Sequence, residues 1–224
     1  MDKKVFIEVY KNRRISAVIK SPRKIGSLSG CIFIIAHGSS NDLNHDLIKG
    51  VSDIYCANGA TTVRFNFLFK EEKKVSDDIK KDNFVSYIKI FEYVKKNLAS
   101  KNDYIFACGK SLGAKVGAEL ISSNKIMPNG FLSFGYPLHS KHYFGRLKFF
   151  PLRNISVPSF FFTGEYDPLC RKELFFEGLT KLDIDCRHFI VKNGDHGLRV
   201  GSQYSDKLFK NIFKETEQWI QNYF

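Results

Sequence analysis

What these 224 residues lack narrows the field before any motif is read. No apolar run approaches the roughly 20 residues that a bilayer crossing needs, so no membrane span is expected. The opening MDKKVFIEVYKNRR has neither the apolar segment nor the small-residue cleavage site of a secretory signal. Cysteine is sparse: Cys31, Cys56, Cys108, Cys170 and Cys186 are scattered, odd in number and free of C-x-x-C spacing. That pattern excludes a disulfide framework and a cysteine zinc site, and it points to reduced thiols in the cytoplasm. No repeat, low-complexity tract or linker interrupts the chain, so one domain spanning 1–224 is expected. Acidic residues are outnumbered, 23 against 35 basic ones, which leaves a net charge of +12. The lysines are spread along the whole length and no nucleic-acid motif accompanies them. The excess reads as compositional, in keeping with abundant Phe, Ile and Asn, and no nucleic-acid partner is expected.

What is present is a rhythm. Residues 5–9 and 15–19 flank a polar turn and read as an opening hairpin. CIFIIA at 31–36 is an unbroken apolar run, the signature of a strand covered on both faces. Residues 42–56 read as a helix, 60–67 as a strand ending in RFNF, and 79–98 as a helix. That helix places Phe84, Ile88, Phe91, Val94 and Leu98 on one face. The alternation continues with strands at 104–108, 130–134, 159–163 and 186–191. Helices are expected at 111–122, 171–181 and 205–223, the last with Leu208, Ile212, Trp219 and Ile220 inward. Alternating strands and helices imply an α/β fold, a mostly parallel central sheet with helices on both faces.

Active sites on such sheets lie beyond the carboxyl ends of the strands. Gly109-Lys110-Ser111-Leu112-Gly113 sits at one of these ends, between the strand YIFAC and a helix. In a G-x-S-x-G elbow the serine occupies a strained strand-to-helix turn, and glycines stand on both sides because strand and helix approach too closely for a Cβ. The five-residue pattern alone is weak, arising by chance on the order of 0.1 times in a chain this long. Its placement between strand and helix outweighs the bland alternative, in which Ser111 merely caps a helix.

A serine hydroxyl needs a positioned imidazole to take its proton. An elbow of this type takes its partners in the chain order serine, acid, histidine, with the base after the last strand. Of His37, His45, His139, His142, His188 and His196, only His196 fits, in the loop NGDHG. The acid should follow the preceding strand, SFFFT. Asp167 is preferred in GEYDP, because Pro168 fixes the chain just beyond it. Glu165 reads as a solvated turn residue, and Asp195 as a loop brace beside the histidine. Acyl transfer also needs preorganised donors for the developing oxyanion. The backbone N–H of Leu112 should supply one and Ser39, in the loop His37-Gly38-Ser39-Ser40, the other. His37 and His139 read as hydrogen-bonded loop histidines.

Six segments together resemble one family of α/β-hydrolase-like proteins. They are AHGSS at 36–40, VRFNF at 63–67, CGKSLGAKV at 108–116, FGYPLH at 134–139, TGEYDP at 163–168 and NGDH at 193–196. The family comprises testis-expressed protein 30-like proteins, the hydrolase-like domain of a nonspecific-lethal histone acetyltransferase complex subunit, and bacterial relatives near dienelactone hydrolases. The resemblance implies the α/β-hydrolase fold and a serine, an aspartate and a histidine at Ser111, Asp167 and His196. It also implies a second class of function, because some relatives serve as parts of protein complexes. Three positions depart from the family pattern: HGSS where small residues and a further Gly are usual, Leu68 for a Pro, and Ala114 for a Gly.

Two functions are therefore carried forward. One is a serine esterase acting on a small-molecule ester or acyl substrate without metal or organic cofactor; the other is a hydrolase-fold scaffold. Only a minimal lid is expected, because the interval 136–157 is short. Its Lys141, His142, Arg146, Lys148 and Arg153 lie among Tyr143, Phe144, Phe149 and Phe150. These form either a basic aromatic rim or, the preferred reading, a loop whose aromatics pack down and whose cations are solvated.

Overall fold

The computed structural model describes residues 2–72, 78–142, 147–182 and 184–224. One eight-stranded sheet runs through the chain, in the spatial order β1-β2-β4-β3-β5-β6-β7-β8. The first two strands, β1 (Asp2–Tyr10) and β2 (Arg13–Lys20), form the expected hairpin, and β2 lies antiparallel to β4 (Thr61–Phe65). From β4 onward every neighbouring pair is parallel: β3 (Cys31–Ala36), β5 (Tyr104–Lys110), β6 (Gly130–Phe134), β7 (Ser159–Gly164) and β8 (Cys186–Val191). In the middle of the sheet every residue of β3, β6 and β7 is buried, as continuous apolar runs demand.

Side chains alternate across the pleat, so each strand feeds two cores. In β3, Ile32, Ile34 and Ala36 enter one, while Cys31, Phe33 and Ile35 enter the other. The second core is covered by α1 (Asp46–Ala57) and α6 (Asp206–Tyr223). Leu208, Ile212, Trp219 and Ile220 are all buried on α6, as its periodicity requires, and Trp219 packs on Phe106 and Phe160. The Ser205 hydroxyl caps this helix by accepting from Leu208 N. The first core is covered by α3 (Ile79–Asn97), α4 (Leu112–Ser122) and α5 (Lys172–Leu182).

Three elements differ from the sequence-based expectation. The first helix begins at Asp46 rather than 42, because the Asp42 side chain accepts from Asn44 N and closes a turn first. The strand expected over 60–67 ends at Phe65; Asn66 and Phe67 turn away, and Leu68–Glu71 form a one-turn helix, α2. Leu68, where relatives were expected to carry Pro, uses its N–H as a donor to Ser86 Oγ. Third, the buried face of α3 is rotated from the apolar stripe. Phe84, Ile88 and Leu98 are half-buried, while Asp82, Asn83, Ser86 and Tyr87 are buried beside Ile90, Phe91 and Val94. Polar partners cause the rotation: Asp82 accepts from Tyr10 and Arg13, and Tyr87 donates to the Cys108 carbonyl. Buried polar groups with partners compete on equal terms with apolar ones for a core-facing position.

Candidate active site

Because the parallel strands share one direction and register, their carboxyl ends meet at one edge of the sheet. Ala36 pairs with Gly109, Lys110 with Phe134 and Gly164 with Val191. Ser111 leaves β5 at this edge with φ 50° and ψ −108°, and α4 starts at the next residue. A non-glycine residue with positive φ is strained by about 1–3 kcal/mol, so surrounding contacts must hold it there. They are close: a Cβ on Gly109 would collide with Gly113 and Ala114, and a Cβ on Gly113 would lie 2.6 Å from the Ala36 carbonyl. Both elbow glycines are therefore sterically required.

Ser111 Oγ lies 2.9 Å from Nε2 of His196, in the loop after β8. On the far side of the ring, Nδ1 lies 3.0 and 2.9 Å from the two carboxylate oxygens of Asp167, in the loop after β7. The Asp167 side chain is fully buried, whereas that of His196 keeps 19% of its surface exposed. Asp167 Oδ1 also accepts from Leu169 N at 2.8 Å, which fixes the carboxylate plane. Hydroxyl, imidazole and carboxylate thus form one hydrogen-bonded chain, with part of the imidazole side chain open to solvent. Such a chain can move a proton off the serine while the carboxylate stabilises the imidazolium that forms.

The flanking residues have bracing roles. Asp195 accepts from Gly197 N, Arg199 N and Arg199 Nε, and closes the loop that bears His196. Its carboxyl is held below the usual range by these donors despite partial burial. Glu165, expected to be solvated, instead accepts from Asn193 N and pairs with Lys172, so it ties the loops after β7 and β8 together. His139 Nε2 accepts from Arg171 N and the His139 backbone N–H donates to the Leu169 carbonyl, which supports the loop that bears Asp167. His37 accepts from Phe67 N through Nε2 and donates through Nδ1 to the Gly38 carbonyl. Burial drives its pKa from the ordinary 6.5 to about 4, so the ring is neutral.

Two glycines that sequence reasoning did not single out set the loop spacing. A Cβ on Gly135 would strike the His196 carbonyl, and one on Gly164 would strike the carbonyls of Gly194 and Asp195. The available signal was a Gly directly after an apolar strand run, in SFGYP and FFTGE. The loop after β3 reaches the same place: a Cβ on Gly38 would stand 3.5 Å from Ser111 Cβ, and Ser39 follows it. The 136–157 interval carries no inserted helical lid among its described residues, only a short 3-10 turn at Phe150–Leu152. Phe149 stacks on Phe175 while Phe150 is exposed; Tyr143, Phe144 and Arg146 lie outside the described residues. Among the described residues there is no His, Cys, Asp and Glu cluster that could hold a metal ion, and no helix long and apolar enough to cross a membrane.

Comparison with known proteins follows the same lines. A family model described as an alpha/beta hydrolase domain matches residues 29–223. An alpha-beta serine hydrolase homologue from Coxiella burnetii superposes with a TM-score of 0.74 at 17% identity, covering 98% of this chain and 96% of that one. A serine hydrolase without a lid from Xanthomonas campestris gives 0.75 at 14% identity, with 99% and 94% covered. Dienelactone hydrolase from Anabaena variabilis gives 0.76 at 13% identity, with 100% and 98% covered. At these identities the likeness is one of fold.

Proposed function

The chain belongs to the alpha/beta hydrolase domain family, and from that premise we propose that it is a serine esterase acting on a small-molecule ester or acyl substrate. The observation that carries this reading is the unbroken chain from Ser111 Oγ through His196 to Asp167, at 2.9 Å on the hydroxyl side and 2.9–3.0 Å on the carboxylate side. Ser111 Oγ attacks the ester carbonyl carbon while its proton passes to His196 Nε2, and the carbonyl electron pair moves onto oxygen. Asp167 holds the Nδ1–H tautomer and balances the positive ring. The oxyanion sits against the backbone N–H groups of Leu112 and Ser39. Collapse expels the alkoxide, which takes the proton from His196. A water molecule, deprotonated by the same nitrogen, then releases the acid and restores Ser111. No metal or organic cofactor takes part, and the chain acts as a single domain. Free thiols at all five cysteines support work in a reducing compartment, the cytoplasm.

The direct test is a fluorophosphonate probe together with short-chain aryl esters, applied to the unmodified protein, Ser111→Ala and His196→Ala. Labelling and turnover that vanish in both variants are the expected result. Folded protein that is neither labelled nor active would sink the esterase and favour the scaffold.

A further inference from the structure

The residue just before the proposed nucleophile has an unusual environment. Lys110 is only 7% exposed, and it projects toward the face covered by α1 and α6, as Cys108 does two residues earlier. Among the described residues its ammonium makes no ion pair and no hydrogen bond. The neighbouring carboxylates are committed elsewhere. Asp195 is held by Arg199 and two backbone N–H groups, and Asp167 by His196 and Leu169 N. Burial lowers the Lys110 pKa, and the fields of Asp195 and Asp167 oppose that shift without supplying a contact.

The space around this ammonium is polar and adjoins the serine. A methyl carbon placed on Gly38 would stand 3.4 Å from Lys110 Nζ, 3.0 Å from Asn41 Oδ1 and 3.5 Å from Ser111 Cβ, so all three groups close on the Gly38 Cα. Asn41 Oδ1 is itself buried without a partner, and so is His45 Nδ1 at the start of α1. The Lys110 charge is felt at His45, where after burial it is the next cause of a lowered pKa. Buried polar atoms without partners are rare in folded proteins, and here one of them, Asn41 Oδ1, lies near an unpaired cation beside the Ser111 side chain, while His45 Nδ1 lies within the field of that cation. An anion supplied by a ligand would satisfy the cation and accept from a rotated Asn41 amide at once.

We propose that Lys110, with Asn41 beside it, forms a subsite for a carboxylate carried by the substrate, so that the enzyme prefers short acyl esters with a free carboxylate to neutral esters of the same length. The proposal rests on the esterase reading for its catalytic consequence, not for the binding itself. Lys110 meets the substrate's remote charge and determines specificity; it takes no part in proton transfer.

The kinetic test compares 4-nitrophenyl hemisuccinate with 4-nitrophenyl butyrate. The ratio of kcat/KM, charged ester over neutral ester, should exceed tenfold in the unmodified protein. It should fall at least tenfold in Lys110→Met and stay above one in Lys110→Arg. A ratio at or below one in the unmodified protein, or an equal loss on both esters in Lys110→Met, overturns the proposal; the second result would make Lys110 a brace of the elbow. A binding arm needs neither turnover nor a Lys110 variant: calorimetric titration of succinate and of butyramide into the Ser111→Ala protein. Succinate alone should bind. Succinate binding without any esterase activity would leave the subsite and remove the esterase, whereas no succinate binding removes the subsite whatever the esters do.

Discussion

The loops after β3 and β8 both carry a His-Gly pair, His37-Gly38 and His196-Gly197, at the same edge of the sheet. In the first, both ring nitrogens are engaged by backbone: one accepts from Phe67 N and the other donates to the Gly38 carbonyl, in full burial. In the second, one nitrogen faces a hydroxyl and the other a carboxylate, and part of the ring meets solvent. Identical dipeptides at equivalent strand ends thus differ in what their nitrogens can do. A ring bound to two fixed backbone groups cannot exchange a proton without losing a hydrogen bond in a dry site, whereas a ring between a hydroxyl and a carboxylate gains charge with its counter-ion already in place. On the proposed mechanism, what separates a brace from a base is the partner set, not the residue or its glycine neighbour.

The sharpest way to break this comparison is to remove each imidazole in turn. His196→Ala should lower kcat on an aryl ester by about 10⁶-fold with an unchanged unfolding midpoint, measured by steady-state kinetics beside thermal melting. An equal kinetic loss in His37→Gln with its fold intact would collapse the distinction. Next, the two aspartates of the same region should separate. Asp167→Asn should reduce kcat by about 10⁴-fold because it presents the wrong partner to Nδ1–H. Asp195→Asn, which only loosens a partly exposed brace, should lose no more than about tenfold, a scale set by the ~1 kcal/mol of one hydrogen bond. Comparable losses would mean that the orienting acid has been misidentified.

A smaller effect concerns acid stability. The folded pKa of His37 is depressed to about 4 from 6.5, so between these values the unfolded chain binds the proton and the folded one does not. Stability from this group is therefore complete above pH 6.5 and is lost as pH falls toward 4, by about 3 kcal/mol in total. Urea unfolding at several pH values should show that loss in the unmodified protein and a shallower slope in His37→Gln, whose side-chain amide still offers one donor and one acceptor. Matching slopes would mean that His37 is not the titrating group.

Much of the architecture was legible because strand identity here is a matter of composition. CIFIIA is apolar without interruption and SFFFT carries three consecutive phenylalanines, and such runs have few alternatives to a doubly covered strand. The elbow was legible for a related reason: two glycines spaced around a serine mark a turn that other residues cannot make. Illegible features were those decided by contacts distant in sequence. Nothing in the apolar stripe of α3 announces that Arg13 and Tyr10 will draw Asp82 inward. The turn after RFNF likewise depends on Asn66 meeting Ser16 and Leu43, and on His37 holding Phe67 N. Loop distances were hidden most deeply, since Gly135 and Gly164 matter only through backbone that arrives dozens of residues later.

That last feature has a mechanical consequence. Where Gly164 lies against the carbonyls of Gly194 and Asp195, and Glu165 grips Asn193 N, two loops are locked to each other. Thermal displacement then carries both together, so the gap between Asp167 and His196 is insulated from motion that would otherwise open and close it. A single methyl group added at position 164 would disengage that coupling without touching any side chain in the proton path.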